Sequence, residues 1–272
     1  MLQDIMPKKL DNHYSADVQP ESDSIFFHFR GIEVLVNETD SPFPVYESFV
    51  SEHPVYLFSI GNVKYFLARD MSISVPEGFT YKNIKSLRSS GNVSKENFFA
   101  LFTAYHLSEW YKSNCFCGRC GQRMELYRVE RAMRCTGCGK LVYPRLNPAV
   151  IVGVISGEKL LITHYVQNRG VTCNALVAGF TEIGETFEET VSREVMEEVG
   201  LKVKNIRYYK SQPWGFSGGI LAGFFCEVDG DDNITLDISE LSSAVWTEKK
   251  NISGQTDDYS LTNEMMMYFK NS

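Results

Sequence analysis

The sequence has no apolar run long enough to span a membrane, because runs such as residues 149–155 are only about seven residues long. Positive charge is also scarce: 27 lysines and arginines stand against 34 aspartates and glutamates, for a net charge of −7. A broad basic surface that clamps a nucleic acid backbone is therefore not expected. Residues 1–10 lack the basic-then-apolar order of a secretion signal. We expect a cytoplasmic protein without a membrane partner.

Several short motifs are missing as well. There is no GxGxxG fingerprint, so a bound dinucleotide would not use a Rossmann fold. The five histidines form no HExxH pair, and we interpret them as structural. The isolated Cys173 and Cys226 are predicted to be buried thiols. The composition, 43% hydrophobic and 22% charged, is that of a globular protein rather than a disordered one.

Hydrophobic patterns divide the chain into three predicted parts. Apolar residues recur at near-helical spacing from Lys95 to Tyr111, which predicts a helix. Before it, strands of an antiparallel meander are predicted at 24–29, 32–36, 55–60 and 63–68. The predicted parts are an N-terminal α+β domain (1–112), a cysteine-rich segment (113–146) and a C-terminal α/β domain (147–272).

The C-terminal part alternates strand-like and helical patterns, which is typical of an α/β fold. Helices are predicted at 187–199 and 261–269 from the spacing of their apolar residues. The predicted strands are 149–155, 160–165, 203–210, 221–228 and 244–246. We expect a sheet of these strands with the helices packed on it.

Five of the seven cysteines fall within 24 residues, which favours metal binding over disulfides in a chain that lacks a secretion signal. Two CxxC pairs, Cys117 with Cys120 and Cys135 with Cys138, are separated by 14 residues. This pattern predicts a ribbon that holds one Zn²⁺ by four thiolates, a closed site that is structural rather than catalytic. Cys115 could take the place of Cys117 as a zinc ligand. The alternatives to a zinc site are a redox-active cysteine pair and unrelated buried thiols.

An acidic segment, residues 179–201, is the most informative part of the sequence. It holds seven glutamates and one base, Arg193, and therefore has a net charge of −6. The glutamates are Glu182, Glu185, Glu188, Glu189, Glu194, Glu197 and Glu198. So many like charges destabilise a short segment unless cations neutralise them.

Helical spacing places Glu194, Glu197 and Glu198 on one face of the predicted helix. Valines at every fourth position are predicted to face the core, and Gly200 to end the helix in a left-handed cap. Clustered carboxylate oxygens favour Mg²⁺ or Mn²⁺, which usually share coordination with substrate phosphates. We interpret the segment as a metal-bridged polyphosphate site with water as the nucleophile. A solvated acidic helix face is the alternative.

The acidic segment resembles the Nudix box, G-x5-E-x7-R-E-U-x-E-E-x-G-U, at every defined position. The matching residues, in order, are Gly179, Glu185, Arg193, Glu194, Val195, Glu197, Glu198, Gly200 and Leu201. This resemblance implies the Nudix α/β/α sandwich and hydrolysis of a nucleoside diphosphate linked to another group. Ser-Gln-Pro-Trp at 211–214 is similar to the SQPW element of the NADH pyrophosphatases, which also carry a four-cysteine zinc ribbon before the Nudix domain.

The resemblance to that family implies cleavage of the pyrophosphate of NAD(H) to AMP and nicotinamide mononucleotide, with Mg²⁺ or Mn²⁺ as the catalytic ion. Glu194, Glu197 and Glu198 would be the catalytic carboxylates, with Glu198 organising the attacking water, and Arg193 would pair with a glutamate of the box. The implied metal ligands are the Ala178 carbonyl, Glu194, Glu197, Glu198 and Glu240. The implied substrate contacts are Arg88, Glu130, Tyr143, Phe180, Gln212, Pro213, Trp214, Gly215, Phe216, Ser217, Gly218, Gly219 and Thr262.

After Trp214 the chain departs from the family pattern, because a glycine-rich segment, 215–219, stands where the family has prolines. Such a loop loses more entropy on ordering, so a preference for the reduced dinucleotide is left open. The exposed or core placement of Tyr143, Phe180 and Trp214 is also left open, since aromatics serve both base stacking and packing. Removal of NAD caps from RNA 5′ ends is the alternative function, and a non-catalytic nucleotide sensor is a remote one. The resemblance also implies a homodimer.

Overall fold

The computed structural model describes residues 1–37, 42–46, 49, 51–70, 73–91, 93–166 and 174–272. It consists of two compact units, one of Asp4–Arg145 and the other of Met1–Gln3 together with Leu146–Ser272. Leu2 is buried in the second unit, where its N–H donates to the Tyr259 carbonyl at 2.9 Å. The finer division into three parts stays a prediction, and the predicted buried thiol Cys173 lies outside the described residues.

In its described residues, the first unit begins with seven strands in two sheets, of order β1-β5-β6-β2 and β3-β4-β7. The strands are β1 (Leu10–Asp11), β2 (Ile25–Phe27), β3 (Phe29–Arg30), β4 (Glu33–Val36), β5 (Pro54–Ile60), β6 (Val63–Ala68) and β7 (Thr80–Asn83). Two helices follow, α1 (Ile84–Ser90) and α2 (Lys95–Ser113). Of these elements, the sequence patterns did not predict β1, β7 and α1.

The predicted antiparallel meander is confirmed at two hairpins, β3–β4 and β5–β6, but it is wrong as one continuous sheet. β5 and β6 pair antiparallel on either side of Gly61, but β2 pairs with β6 in parallel. The predicted strand 24–29 is also divided, because β3 leaves the first sheet and pairs with β4 in the second. The parallel register stacks Phe26 on Phe66, with 5.4 Å between the ring centroids, inside the core of the unit. Packing between distant residues therefore chose the partner of β2, which short-range turn signals do not specify.

α2 confirms the helix predicted from Lys95. The Ser94 side chain caps its first turn by accepting a hydrogen bond from the Asn97 N–H at 3.2 Å. Its apolar face is buried, as the spacing predicted, at Phe98, Phe99, Leu101, Phe102, Leu107, Trp110 and Tyr111. The burial of these large side chains stabilises the unit, at roughly 1.5–3 kcal/mol for each fully buried one.

The cysteine-rich segment forms a small antiparallel sheet of order β10-β9-β8. Its strands are β8 (Met124–Tyr127), β9 (Ala132–Cys135) and β10 (Leu141–Val142). Met124 pairs with Cys135 in the β8–β9 hairpin. The register therefore brings the start of β8, just after the first CxxC pair, beside the second pair.

The second unit contains one sheet of order β14-β15-β11-β12-β16, and β13 pairs with β11. β11 and β15 are parallel, and the remaining pairs are antiparallel. The strands are β11 (Asn147–Ser156), β12 (Lys159–Tyr165), β13 (Val177–Phe180), β14 (Val203–Trp214), β15 (Gly219–Val228) and β16 (Leu241–Glu248). The helices are α3 (Phe187–Val199) and α4 (Leu261–Asn271), with a 3-10 turn at Lys249–Asn251.

The central strand β11 is apolar between its polar end residues, Asn147 and Ser156, because both of its faces are covered. Val150 and Val152 lie in one cluster with Val191 of α3, whereas Ile151 lies in a second cluster with Met265 of α4. Successive side chains of a strand point to opposite faces, so the two clusters are the two sides of the sheet. The α/β/α sandwich expected for the C-terminal part is confirmed.

The predicted elements of this unit are present in the structure, and β16 is longer than the predicted strand 244–246. β13 was not predicted, and β14 continues to Trp214, so that the Ser-Gln-Pro-Trp element ends a strand. Pro213 is accommodated near the end of β14, the last strand on its side of the sheet. None of the helices in the described ranges is both long and apolar enough to cross a membrane.

Candidate active site

α3 has well-defined ends that fix where its side chains point. Thr186 and Glu189 form a capping box, in which Thr186 Oγ1 accepts from the Glu189 N–H at 3.2 Å and Glu189 Oε2 from the Thr186 N–H at 2.8 Å. At the other end Gly200 has a φ of +71°, and a Cβ there would lie 2.7 Å from the Thr235 Cβ. Glycine is therefore required at position 200 both by the positive φ and by the lack of space for a Cβ. The predicted left-handed cap is confirmed.

The valine face of α3 is as predicted, but the three glutamates are not equally exposed on the other face. Val191, Val195 and Val199 are fully buried against the sheet. On the other face, 59% of the Glu197 side chain and 12% of the Glu194 side chain are exposed. Glu198, whose residue is only 2% exposed, lies between the two faces. The helix thus presents one exposed, one largely buried and one fully buried carboxyl group.

Arg193 ties α3 to the loop that precedes it. Its Nε donates to Glu185 Oε1 at 2.6 Å, and its Nη2 donates to Glu185 Oε2 at 2.9 Å and to the Phe180 carbonyl at 3.0 Å. Glu185 Oε2 also accepts from the Glu182 N–H and the Thr190 hydroxyl. The Arg193 guanidinium and these donors lower the pKa of Glu185 to about 2. The predicted pairing of Arg193 with a glutamate of the box is confirmed.

The same guanidinium reaches the carboxylates of α3. Arg193 Nη1 donates to Glu194 Oε1 at 2.7 Å and to Glu197 Oε2 at 2.9 Å. Burial nevertheless raises the pKa of Glu194, helped by repulsion from Glu197 and Glu240 and opposed by Arg193. The repulsion indicates that Glu240, which directly precedes β16, lies close enough to Glu194 for their charges to interact. A cation at this place would relieve it.

Gly179 allows Glu194 to approach the sheet. A Cβ at Gly179 would lie 1.9 Å from the Glu194 carboxyl carbon, so any side chain there would displace that carboxyl group. Ala178, whose carbonyl is an implied metal ligand, is the preceding residue of the same strand, β13. The glycine therefore acts by the space it leaves rather than by a turn, a role that the motif alone did not reveal.

This set of oxygen donors fits Mg²⁺ or Mn²⁺ in chemistry, and Gly179 provides the space that holds one carboxylate in place. Within the described ranges, no three of these carboxylates have oxygens that all lie within 4.8 Å of one another. In this arrangement the counter-charge of Glu194 and Glu197 is the Arg193 guanidinium. Ion binding would therefore require the glutamates to draw closer to one another.

The four predicted zinc ligands come together in the β8–β9 ribbon. The Sγ atoms of Cys117, Cys120, Cys135 and Cys138 all lie within 4.8 Å of one another, at 3.7 Å for Cys117–Cys138 and 3.4 Å for Cys120–Cys135. A tetrahedron with Zn–S bonds of about 2.3 Å requires Sγ–Sγ separations of about 3.8 Å. The geometry and the chemistry of the donors fit a structural Zn²⁺.

Backbone amides prepare these thiols for the metal. The N–H groups of Gly137 and Cys138 both donate to Cys135 Sγ at 3.4 Å. These hydrogen bonds, with that from Cys138 first, lower the pKa of Cys135 to about 6 and so favour the thiolate. Cys115 is not in the cluster, since its thiol donates to the Tyr111 carbonyl at 3.6 Å. The alternative in which it replaces Cys117 is therefore wrong.

Two family models match this chain, NUDIX domain over residues 145–265 and NADH pyrophosphatase zinc ribbon domain over residues 112–143. Together they cover more than half of the chain. The chain belongs to the NADH pyrophosphatase family of Nudix hydrolases.

Relatives in this family carry the name NAD-capped RNA hydrolase NudC. The protein from Actinobacillus succinogenes is 41% identical over 167 residues, which are 59% of this chain and 63% of the relative. That from Salmonella schwarzengrund is 43% identical over 140 residues, 52% of this chain and 54% of the relative. A solved NUDIX hydrolase from Nitrosomonas europaea, 19% identical with a TM-score of 0.48, covers 57% of this chain and 90% of its own. The alignments thus span less than two thirds of the first relatives' own length.

Gln212, one of the expected substrate contacts in the Nudix unit, is instead fully buried in a polar network. Its Nε2 donates to Gln3 Oε1 at 3.0 Å and to the Tyr259 carbonyl at 2.6 Å, and its Oε1 accepts from the Leu261 N–H at 2.7 Å. The Leu261 N–H is at the start of α4, where helix amides have no partner within the helix. The structure therefore gives Gln212 a positioning role at the N-terminus of α4, where the expected contact Thr262 also lies.

The segment after Trp214 forms a tight connection between β14 and β15. Gly218 has a φ of +63°, which favours glycine, and its carbonyl accepts from the Asn147 N–H at 2.9 Å. The Asn147 side chain donates to the Ser217 carbonyl at 3.2 Å. Trp214 packs edge-on against Phe216, with 6.3 Å between ring centroids. Asn147 supports this turn of the Nudix unit, a role that sequence reasoning missed because the two segments are far apart in the chain.

The remaining expected contacts are divided between the two units. Phe180 is in the Nudix unit and 53% exposed, which excludes the core alternative for this ring. Arg88, at the end of α1, and Glu130 and Tyr143 are in the other unit. Tyr143 is 51% exposed, and its hydroxyl donates to Glu130 Oε1 at 2.8 Å. The structure therefore brings Glu130 and Tyr143 together, and contact of all four with substrate stays a prediction.

Proposed function

We propose that this chain is a Mg²⁺- or Mn²⁺-dependent hydrolase that cleaves the pyrophosphate bond of NAD(H) to give AMP and nicotinamide mononucleotide. The observation that carries the proposal is the approach of Glu194 to Gly179, with Glu197 and Glu240 close enough for their charges to repel that of Glu194. It is supported by membership of the NADH pyrophosphatase family. The many negative charges near one strand end are suited to a site that receives cations together with a diphosphate.

In this proposal Glu194, Glu198, Glu240 and the Ala178 carbonyl hold the ions, and Glu197 adds charge to the cluster. When bound, divalent ions would neutralise the charge of the diphosphate and lower the pKa of the water that they coordinate. Glu198 orients the attacking water, which its burial on α3 favours because the carboxyl group has little freedom to turn. Water attacks one phosphorus, the bridging oxygen leaves with the other nucleotide, and the water proton passes to solvent.

The test is the comparison of Glu198→Gln with Glu188→Gln. Glu188 lies in the first turn of the same helix and is exposed, so its substitution controls for the loss of one negative charge. Glu198→Gln is expected to fold, to keep its zinc and to lose NADH cleavage by about 10²-fold or more, with product identity established by chromatography. Turnover of Glu198→Gln close to that of Glu188→Gln would contradict the proposal.

A second candidate substrate is the NAD cap of RNA, cleaved by the same chemistry. It is favoured by the relatives from Actinobacillus succinogenes and Salmonella schwarzengrund, which are named NAD-capped RNA hydrolases. Initial rates with free NADH and with an NAD-capped RNA, at equal metal and substrate concentration, separate the two substrates. A non-catalytic nucleotide sensor would turn over neither, so the same experiment tests this remote alternative.

The cytoplasm as compartment and the homodimer also belong to this proposal. The cytoplasm is supported by the four free cysteines of the ribbon, whose thiolates need a reducing environment to hold zinc. The homodimer is supported only by the resemblance to the family. Light scattering of the purified chain would test it, since a mass near 31 kDa, that of one chain of 30.9 kDa, would contradict it.

A further inference from the structure

The Asp4–Arg145 unit contains a cavity of about 340 Å³, which is in the size range of small-ligand pockets. It is bounded by β3, by the end of β6 and by the last turns of α2. Three basic side chains line it, Arg30, Arg69 and Lys112, in a protein whose net charge is −7. None of them belongs to the zinc cluster or to the expected substrate contacts. The cavity therefore concentrates positive charge that the proposed hydrolysis does not use.

The two arginines have no acidic partner among the described residues. Neither Arg30 nor Arg69 is in an ion pair with a carboxylate of those residues. Among the described residues that line the cavity, the one carboxylate is that of Asp70, which accepts from the Ser51 hydroxyl through Oδ2 and from the Glu52 N–H through Oδ1. Within the described part of the chain, the two arginine charges are therefore not neutralised by an ion pair.

Lys112 has an acidic neighbour, but a weak one. Its Nζ lies 3.0 Å from Glu109 Oε1, and both side chains are 44% exposed. Exposed pairs of this kind contribute about 0.2–1 kcal/mol at most, so an anion in the cavity competes readily with Glu109 for Lys112. Glu109 itself does not line the cavity.

Aromatic rings hold the arginines in place. The Arg30 guanidinium carbon lies 4.0 Å from the centre of the Tyr81 ring, and that of Arg69 lies 5.3 Å from the centre of the Tyr111 ring. The Tyr81 hydroxyl is in turn hydrogen-bonded to His28 Nδ1 at 2.7 Å, which fixes the ring under Arg30. Guanidinium groups that are held in advance lose less entropy when they bind an anion.

We propose that this cavity binds a phosphate monoester with an apolar or aromatic body, such as a nucleoside monophosphate. A phosphate monoester carries about −1.5 to −2 charges at pH 7, which matches a cavity whose described lining residues include three cations and one engaged carboxylate. Guanidinium groups bind phosphate oxygens by paired hydrogen bonds. Phe29 and Leu67 line the same cavity and give the organic part of the ligand an apolar wall.

The test uses the full chain with zinc bound and without added divalent ions. AMP, adenosine and inorganic phosphate are titrated calorimetrically into the wild type and two pairs of variants. In the first pair, Lys112→Gln removes a cation from the cavity, whereas Glu109→Gln removes the carboxylate that pairs with Lys112. We expect AMP affinity to fall about two- to fivefold in Lys112→Gln and to rise by a similar factor in Glu109→Gln. Both positions are exposed, so neither substitution endangers the fold.

In the second comparison, Arg30→Gln combined with Arg69→Gln is expected to lower AMP affinity at least tenfold. Arg128→Gln, an exposed arginine of the same unit that does not line the cavity, is expected to leave it unchanged. Adenosine should bind more weakly than AMP and with no dependence on these charges, and inorganic phosphate should compete only weakly because it lacks the apolar body.

The outcome is independent of the proposed hydrolysis. AMP bound at the Nudix carboxylates instead would be weakened by none of the cavity substitutions, and that result would overturn the proposal. AMP affinity equal to that of adenosine, or competition by inorganic phosphate at the same concentration as AMP, would also overturn it. NADH cleavage by the Lys112→Gln and Glu109→Gln variants is measured as well, and it tests the proposed hydrolysis independently of AMP binding in the cavity.

Discussion

Arg193 and Glu185 are joined by two nearly parallel hydrogen bonds, of 2.6 Å from Nε and 2.9 Å from Nη2. Glu185 belongs to the loop before α3, and Arg193 to the helix itself. The pair therefore fixes the loop at the place where the Phe180 carbonyl also meets Arg193. Only a planar, forked group can make these contacts at once, which distinguishes arginine from lysine here.

Substitution of Arg193 by lysine is predicted to reduce activity although it keeps the charge. Lysine cannot bond both oxygens of Glu185 and still reach Glu194, so the carboxylates lose their orientation. We expect NADH hydrolysis to fall about ten- to a hundredfold, as for other groups that orient metal ligands. Steady-state kinetics measure the effect, and the exposed Arg207→Lys is the control. Equal rates of NADH hydrolysis for the two variants would show that the forked guanidinium group of Arg193 is not needed.

Gly179→Ala is predicted to impair catalysis more than stability. The added methyl group would lie 1.9 Å from the Glu194 carboxyl carbon, so the carboxyl group must move by more than 1 Å. Misplacement on this scale costs about a hundredfold in rate. Gly118→Ala is the matched control, because a Cβ at Gly118 meets nothing within 4 Å. Full activity of Gly179→Ala would mean that Glu194 does not need its observed position.

Loss of a ribbon thiol is predicted to abolish zinc binding. Cys135→Ser removes a buried ligand, and we expect the zinc content to fall from one ion per chain to nearly none, with a lower unfolding temperature. Cys115→Ser is the control, since Cys115 is outside the cluster. Metal analysis by mass spectrometry and thermal unfolding check both. Retention of zinc by Cys135→Ser would contradict the assignment of the four ligands.

Gln212→Ala is predicted to destabilise the Nudix unit. It removes three hydrogen bonds and leaves the Leu261 N–H buried without its acceptor, at a cost of about 2–4 kcal/mol. Urea unfolding would measure this against Ser211→Ala, an exposed neighbour. An unchanged free energy of unfolding would refute the positioning role that we give to Gln212.

The stability of the Asp4–Arg145 unit is predicted to fall in mild acid because of His28. Burial lowers the pKa of His28 below its usual 6.5, and the charges of Arg30 and Lys112 lower it further. The unfolded chain then binds more protons than the folded one, so stability is lost as the pH falls from about 6.5 through the lower pKa of the folded state. His28→Gln should remove this part of the pH dependence and the exposed His13→Gln should not, in urea titrations between pH 7.5 and 5.

The sequence alone was sufficient for features that depend on short spacings. The extent of α3 follows from the spacing of its apolar residues and from Gly200 at its end, and its buried face from valines at every fourth position. The four zinc ligands follow from two CxxC pairs, and the α/β class of the C-terminal part from strands that alternate with helices, whereas the sandwich was implied by the resemblance to the Nudix box. These patterns are local, because hydrogen bonds and side-chain directions within a helix or knuckle repeat over a few residues.

Tertiary structure decided what depends on residues far apart in the chain. The parallel pairing of β2 with β6, the burial of Gln212 under α4 and the space that Gly179 leaves for Glu194 each join segments that no spacing relates. The basic cavity likewise combines β3, the end of β6 and the last turns of α2. Such contacts result from packing whole elements against one another, and a linear pattern does not contain the positions of those elements in space.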